Sequence, residues 1–137
     1  MGDELDANKA VVRRIYEEGY SRGDVTVFDE LYAPGFVHHS KVIFDVAAGG
    51  TGERQSMQRF RAAMPDARFE VLDQVAEGDH VATRLHVTGN PVTAYAEELT
   101  PGTPFDTHAL ALFRVSDGRV TEEWYFVDAG KAPGGHP

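Results

Sequence analysis

The 137-residue chain carries 13 Lys and Arg against 22 Asp and Glu, with six His, no cysteine and a formal net charge of -9. That length predicts a single domain with a sizeable core, and a hydrophobic share of 42% beside 26% charged residues predicts a soluble globular protein. Without cysteine there are no disulfides, thiolate nucleophiles or Cys-ligated metal sites, and an acidic chain with no Lys/Arg cluster beyond Arg13-Arg14 is a poor nucleic-acid partner. No apolar run approaches the ~20 residues of a membrane span. The segment Met1–Ala10 is acidic and polar rather than basic then apolar, so the expectation is a cytoplasmic protein.

In chain order, Leu5, Val12, Ile15, Tyr16, Gly19 and Tyr20 fall on one stripe and predict an amphipathic helix from Leu5 to Tyr20. Gly23 suits its C-terminal cap, and Asp24 caps a short helix from Val25 to Tyr32 that Ala33-Pro34-Gly35 ends. Phe36–Ser40 reads as a strand. After a stretch containing Gly49, Gly50 and Gly52, Thr51 caps a helix over Glu53–Met64, with Met57, Phe60 and Met64 as its apolar stripe and Pro65 beyond its end. Four strands follow, Arg68–Val75, His80–Thr88, Thr107–Val115 and Arg119–Val127, with tight turns at Glu77-Gly78-Asp79 and Ser116-Asp117-Gly118. A Pro/Gly/Thr loop fills Asn90–Pro104. Helices first and an antiparallel sheet afterwards predict an α+β fold, with one domain over 1–130 and a flexible tail over 131–137.

This order resembles the nuclear transport factor 2-like superfamily, and within it the SnoaL-like group of polyketide cyclases. The resemblance rests on Val12–Glu18 with Arg22-Gly23-Asp24, Phe28–Val37, Arg61–Arg68, Ala76–Ala82, Phe113-Arg114-Val115 and Asp117–Trp124. It implies a cone-shaped curved sheet wrapped on the N-terminal helices, with an apolar pocket inside. Alternation then turns Val81, Thr83, Leu85 and Val87 to one face of their strand and Arg84, His86 and Thr88 to the other. Thr107, Ala109, Ala111 and Phe113, and likewise Thr121, Glu123, Tyr125 and Val127, would face the pocket.

The resemblance also shows which chemistry is displaced. The acid/base positions of SnoaL-like cyclases fall on Tyr125 and Ala111, neither a carboxylate nor a histidine. The ketosteroid-isomerase-like base falls on His39 or Ser40 and one oxyanion donor on Ala111, although the helix-one tyrosine matches at Tyr16. The epoxide-hydrolase-like set falls on Leu85, Val87 and Tyr125. The remaining catalytic candidates are His39, which matches a histidine common in SnoaL-like sequences, Glu123 as a carboxylate inside an apolar pocket, Tyr16 and Tyr125 as oxyanion donors, and Asp128 at the end of the last strand. Tyr20, Phe36, His38, Met57, Phe60, Leu85 and Phe113 are the expected substrate-lining residues. Histidines lack metal-ligand spacing, so no metal and no cofactor is expected. The implied function is a cofactor-independent acid–base enzyme, a cyclase, isomerase or dehydratase, for a small hydrophobic oxygenated molecule. The alternative is a non-catalytic ligand-binding or interaction module. His86, His108, Arg84 and Trp124 on the outer sheet face suggest a homodimer.

Overall fold

The computed structural model describes residues 2–40, 49–95 and 99–128, with side chains 49–51 excepted. Helix α1 (Gly2–Arg14) runs without a break into a π-helical segment, Ile15–Tyr20. The predicted single helix therefore changes winding at Ile15. Across that change Ile15, Tyr16, Gly19 and Tyr20, the stripe expected from the spacing, all stay buried. The end of this segment is tied down from outside. The Arg61 guanidinium donates to the carbonyls of Tyr20 (3.0 Å), Ser21 (2.9 Å) and Pro65 (3.0 Å), and Ser21 Oγ accepts from the Phe69 amide at 2.8 Å. Gly23, at φ 76, leaves a path for that arginine, because a Cβ there would lie 3.1 Å from Arg61 Nε. Arg61→Ala orphans three carbonyls, and urea unfolding should show a loss of about 2–3 kcal/mol.

Short helix α2 (Thr26–Leu31) is preceded by Asp24, which accepts from the Thr26 amide and hydroxyl. Strand β1 (Tyr32–His38) begins directly at its end. The expected strand at Phe36–Ser40 thus starts earlier and includes Pro34 and Gly35, which an edge strand tolerates. Helix α3 (Gly49–Ala63) extends through the glycines expected to form a loop, the burial of Glu53, Ser56, Met57, Phe60 and Ala63 outweighing their poor helix propensity. Strands β2 (Arg68–Glu77), β3 (His80–Gly89), β4 (Phe105–Ser116) and β5 (Arg119–Val127) follow. Asp117 (φ 51) and Gly118 (φ 77) make the tight β4–β5 turn.

The sheet order is β1-β5-β4-β3-β2. Every pairing is antiparallel except β1 with β5, which is parallel and corrects the all-antiparallel expectation. The chain reaches the far edge of the sheet from α2, so β1 enters in the direction of β5. The curved, unclosed sheet wraps the helices, and between them lies a core with Tyr16, Phe28, Phe36, Phe60, Phe113 and Leu85 all nearly solvent-free. The alternation expected on β3, β4 and β5 holds through their centres, where Val81, Thr83, Leu85, Ala109, Ala111, Phe113, Glu123 and Tyr125 are all buried. Thr107 and Val127 near the strand ends are only half-buried, and at the start of β5 a register shift buries Val120 in place of the expected Thr121. No described helix is long and apolar enough to cross a membrane. The tail at 131–137 lies outside the described residues.

Candidate active site

At the centre of this apolar interior sits a polar cluster. The parallel register sets His38 of β1 beside Glu123 of β5, and both side chains turn inward, 4% and 5% exposed. From the opposite wall, Glu53 in the first turns of α3 is fully buried. Donor atoms of His38, Glu53 and Glu123 all lie within 4.8 Å of one another. Tyr20 donates to Glu53 Oε1 at 3.4 Å, and His38 Nε2 lies 3.6 Å from Glu123 Oε2. Tyr16, Tyr32 and Tyr125 are buried around the same carboxyls. Among the described buried residues none is Lys or Arg, so no fixed positive charge balances the pair.

Burial dominates the electrostatics. It disfavours the ionised carboxylates, pushing Glu53 up to about 7 and Glu123 well above the ordinary range. The Tyr20 hydroxyl that donates to Glu53 favours its ionised form, and the neighbouring Glu53 carboxyl helps to hold Glu123 protonated. Of the two, Glu53 is therefore the better proton acceptor and Glu123 the better donor. Among the described residues no N–H or O–H reaches Glu53 Oε2 or Glu123 Oε1, so a proton held between the carboxyls would supply a bond that these residues do not. Burial raises the phenols of Tyr16, Tyr20, Tyr32 and Tyr125, aided by the neighbouring acids, and keeps them as neutral donors. It lowers His38 to about 4. Because His38 Nδ1 accepts the Ser40 amide at 3.1 Å, the neutral ring carries its proton on Nε2, toward Glu123. His38 is thus built to donate to Glu123 rather than to pair with it as a cation.

The structure redistributes the residues singled out from sequence. Glu123, Tyr16 and Tyr125 point inward and meet at the cluster. His39 does not join them: next along from inward His38, it faces out, stacks on Trp124 at 4.5 Å and bonds Glu122 at 3.0 Å. The inward histidine is His38, expected only as a lining residue. Asp128 is exposed beyond β5, its amide bonded to the His108 carbonyl at 2.8 Å, and stands apart from the cluster. Tyr20, Phe36, Met57, Phe60, Leu85 and Phe113 all line the interior and pack as one core. Glu53 escaped notice although the signal was there: Glu53, Met57, Phe60 and Met64 are spaced 4, 3 and 4, which puts the acid on the apolar stripe of its own helix. On the outer face His86 and His108 stack at 4.6 Å, with Leu110 and Phe126 exposed on neighbouring strands.

Comparison with known proteins gives the family and the fold. The family model described as SnoaL-like polyketide cyclase matches residues 10–131. Among solved structures the chain is similar to IdmH from Streptomyces antibioticus, a candidate polyketide cyclase, with 30% identity, TM-score 0.74, and 88% of this chain and 91% of that one covered. It is also similar to AclR from Streptomyces galilaeus, a candidate hydroxylase, with 25% identity, TM-score 0.75 and 92% of each chain covered. TsrD from Streptomyces laurentii shares the fold at 22% identity and TM-score 0.79, over 90% of this chain and 89% of that one. Among curated proteins none matches it.

Proposed function

Since the chain belongs to the SnoaL-like polyketide cyclase family, we propose that it is a small, cofactor-independent acid–base enzyme, a cyclase, isomerase or dehydratase, acting on a hydrophobic oxygenated substrate. The observation that carries this reading is the convergence of Glu123, Glu53, His38 and four tyrosines inside an otherwise apolar core. Such chemistry takes a proton from carbon beside a carbonyl and returns one elsewhere, and it needs a carboxyl whose pKa lies near the working pH. Glu123 would supply the proton that is returned, with the His38 N–H turned toward it; the neutral phenols of Tyr16 and Tyr125 would donate to the oxygen on which charge develops. The reaction would run inside the cone, where a substrate would have to part the packed side chains of Phe36, Met57, Phe60, Leu85 and Phe113 to lay its apolar part against them. The experiment is to identify by mass spectrometry the small molecule that the purified protein retains, and then to follow its conversion. Conversion supports the enzyme.

Release of that molecule unchanged would favour a ligand carrier on the same fold. The replacement of the family's acid/base positions by Ala111 and Tyr125 is what keeps that second reading in play. We also propose a cytoplasmic homodimer that pairs the outer sheet faces, where Leu110 and Phe126 are exposed beside Trp124. Sedimentation equilibrium should give twice the chain mass, and a monomer at micromolar concentration would contradict it.

A further inference from the structure

We propose that Glu53 and Glu123 work as one catalytic carboxyl pair that shares a proton, with Glu53 the base and Glu123 the acid, and that the reacting end of the substrate is an uncharged carbonyl group. This rests on the acid–base reading above and adds a residue and a substrate class to it. The pair comes from two separate walls, α3 and β5, so neither local folding nor sheet register alone places the groups together. Each contributes an oxygen that no donor among the described residues reaches. Two further polar groups are buried without a partner among the described residues: the Tyr32 hydroxyl, 4% exposed and close enough to feel both carboxyls, and Ser56 Oγ, fully buried three residues after Glu53 on α3. Orphaned buried hydroxyls cost stability, and a phenylalanine would fill the Tyr32 position between the Phe28 and Phe36 rings equally well. Such unspent donors and acceptors around one point describe a site that a polar ligand atom completes.

The division of labour follows from the Tyr20 hydroxyl, which donates to Glu53 at 3.4 Å and favours its ionised form, while Glu123 accepts no such bond among the described residues. The ionised Glu53 takes a proton from the carbon next to the carbonyl, and the electron pair of the broken C–H bond moves into the enolate. Glu123 delivers its own proton to the site where the product needs one. The pair ends with the proton on the opposite carboxyl, and its transfer across the shared bond restores the starting state. Proton count and charge balance without any other reactant. A substrate carrying a carboxylate or phosphate at this end would face two buried acids with no Lys or Arg among the described buried residues to offset them. An uncharged ketone meets only donors and one base.

The test uses a simple carbon acid. Cyclohexanone and the anionic keto acid levulinate are each incubated with the full chain in D2O, and loss of the α-proton signal is followed by NMR. The wild type should exchange cyclohexanone faster than levulinate. Glu53→Gln and Glu123→Gln should each lose at least about tenfold, and the double variant should lose little more than either, because groups that act as a unit are non-additive. Far-UV circular dichroism and urea midpoints establish that each variant is folded. Exchange lost in Glu123→Gln but kept in Glu53→Gln would overturn the pair while leaving a single-carboxyl enzyme standing. No exchange by the wild type would overturn the acid–base reading itself. Exchange abolished by EDTA and restored by Mn2+ would also overturn the pair, making His38, Glu53 and Glu123 ligands of a metal.

Discussion

Glu123→Gln should lower turnover of the identified substrate by about 10²–10⁴-fold, the usual contribution of one positioned acid or base, and at pH 8 it should make the protein more stable. Both effects come from the same burial. Glutamine keeps the volume inside the β4–β5 curve, so Ala111, Phe113 and Tyr125 repack little, but it has no proton to transfer. Its amide N–H can instead donate to Glu53, which otherwise faces another acid. Removing a buried acid held against its preference is worth about 1–2 kcal/mol at a pH where it resists ionisation. A residue there only for packing would show neither the loss of activity nor the gain in stability. His39→Ala is the matched control. It sits on the outer face with Trp124 and Glu122, and turnover should remain within about threefold of wild type, the range expected for a surface change.

The second large effect is a fall in stability from about pH 6.5 to 8. A carboxyl raised in the folded state favours folding fully only below its unfolded value near 4.5, and that contribution is lost as pH rises through the folded pKa. Glu53 therefore loses it up to about pH 7, and Glu123 continues the loss beyond. His38 acts in the other direction. Lowered from 6.5 to about 4, it contributes stability above pH 6.5 that is lost as pH falls toward 4. Between 4.5 and 6.5 the two effects partly cancel, and above 6.5 only the carboxyls still change. Each proton involved is worth about 1.4 kcal/mol per pH unit, so urea unfolding should lose about 1–2 kcal/mol from pH 6.5 to 8. The Glu53→Gln/Glu123→Gln double variant should be nearly flat over the same range. The exposed pairs Arg84–Asp73 and Arg114–Asp79 lower their acids further and act only at lower pH.

How much of this was legible in the sequence follows from what local patterning can carry. Period-two alternation on β3, β4 and β5 put Thr83, Phe113, Glu123 and Tyr125 on the correct face, because a strand with one buried face allows only one register. The helices were legible for the same reason, up to the change of winding at Ile15, which no spacing rule announces. The site was only half legible. Whether His38 or His39 turns inward depends on where β1 begins, and that is set by the parallel pairing of Val37 and His38 with Glu122 and Glu123, a contact across more than eighty residues. Glu53 needed the packing of α3 on the sheet. On its own helix it is one acid on an apolar stripe, and only the fold brings it to Glu123. Asp128 was drawn in by its place at a strand end, but a side chain beyond the last inward position of β5 has no route to the interior.

The central claim is that two carboxyls from opposite walls hold one proton inside the core. Carbon-13 NMR of glutamate side-chain carboxyls, assigned with the Glu53→Gln and Glu123→Gln variants and followed against pH, tests it most directly. Two carboxyl resonances should titrate above the ordinary 4.5, and removing either residue should shift the titration of the other. Two independent titrations near 4.5, each indifferent to loss of its neighbour, would contradict it.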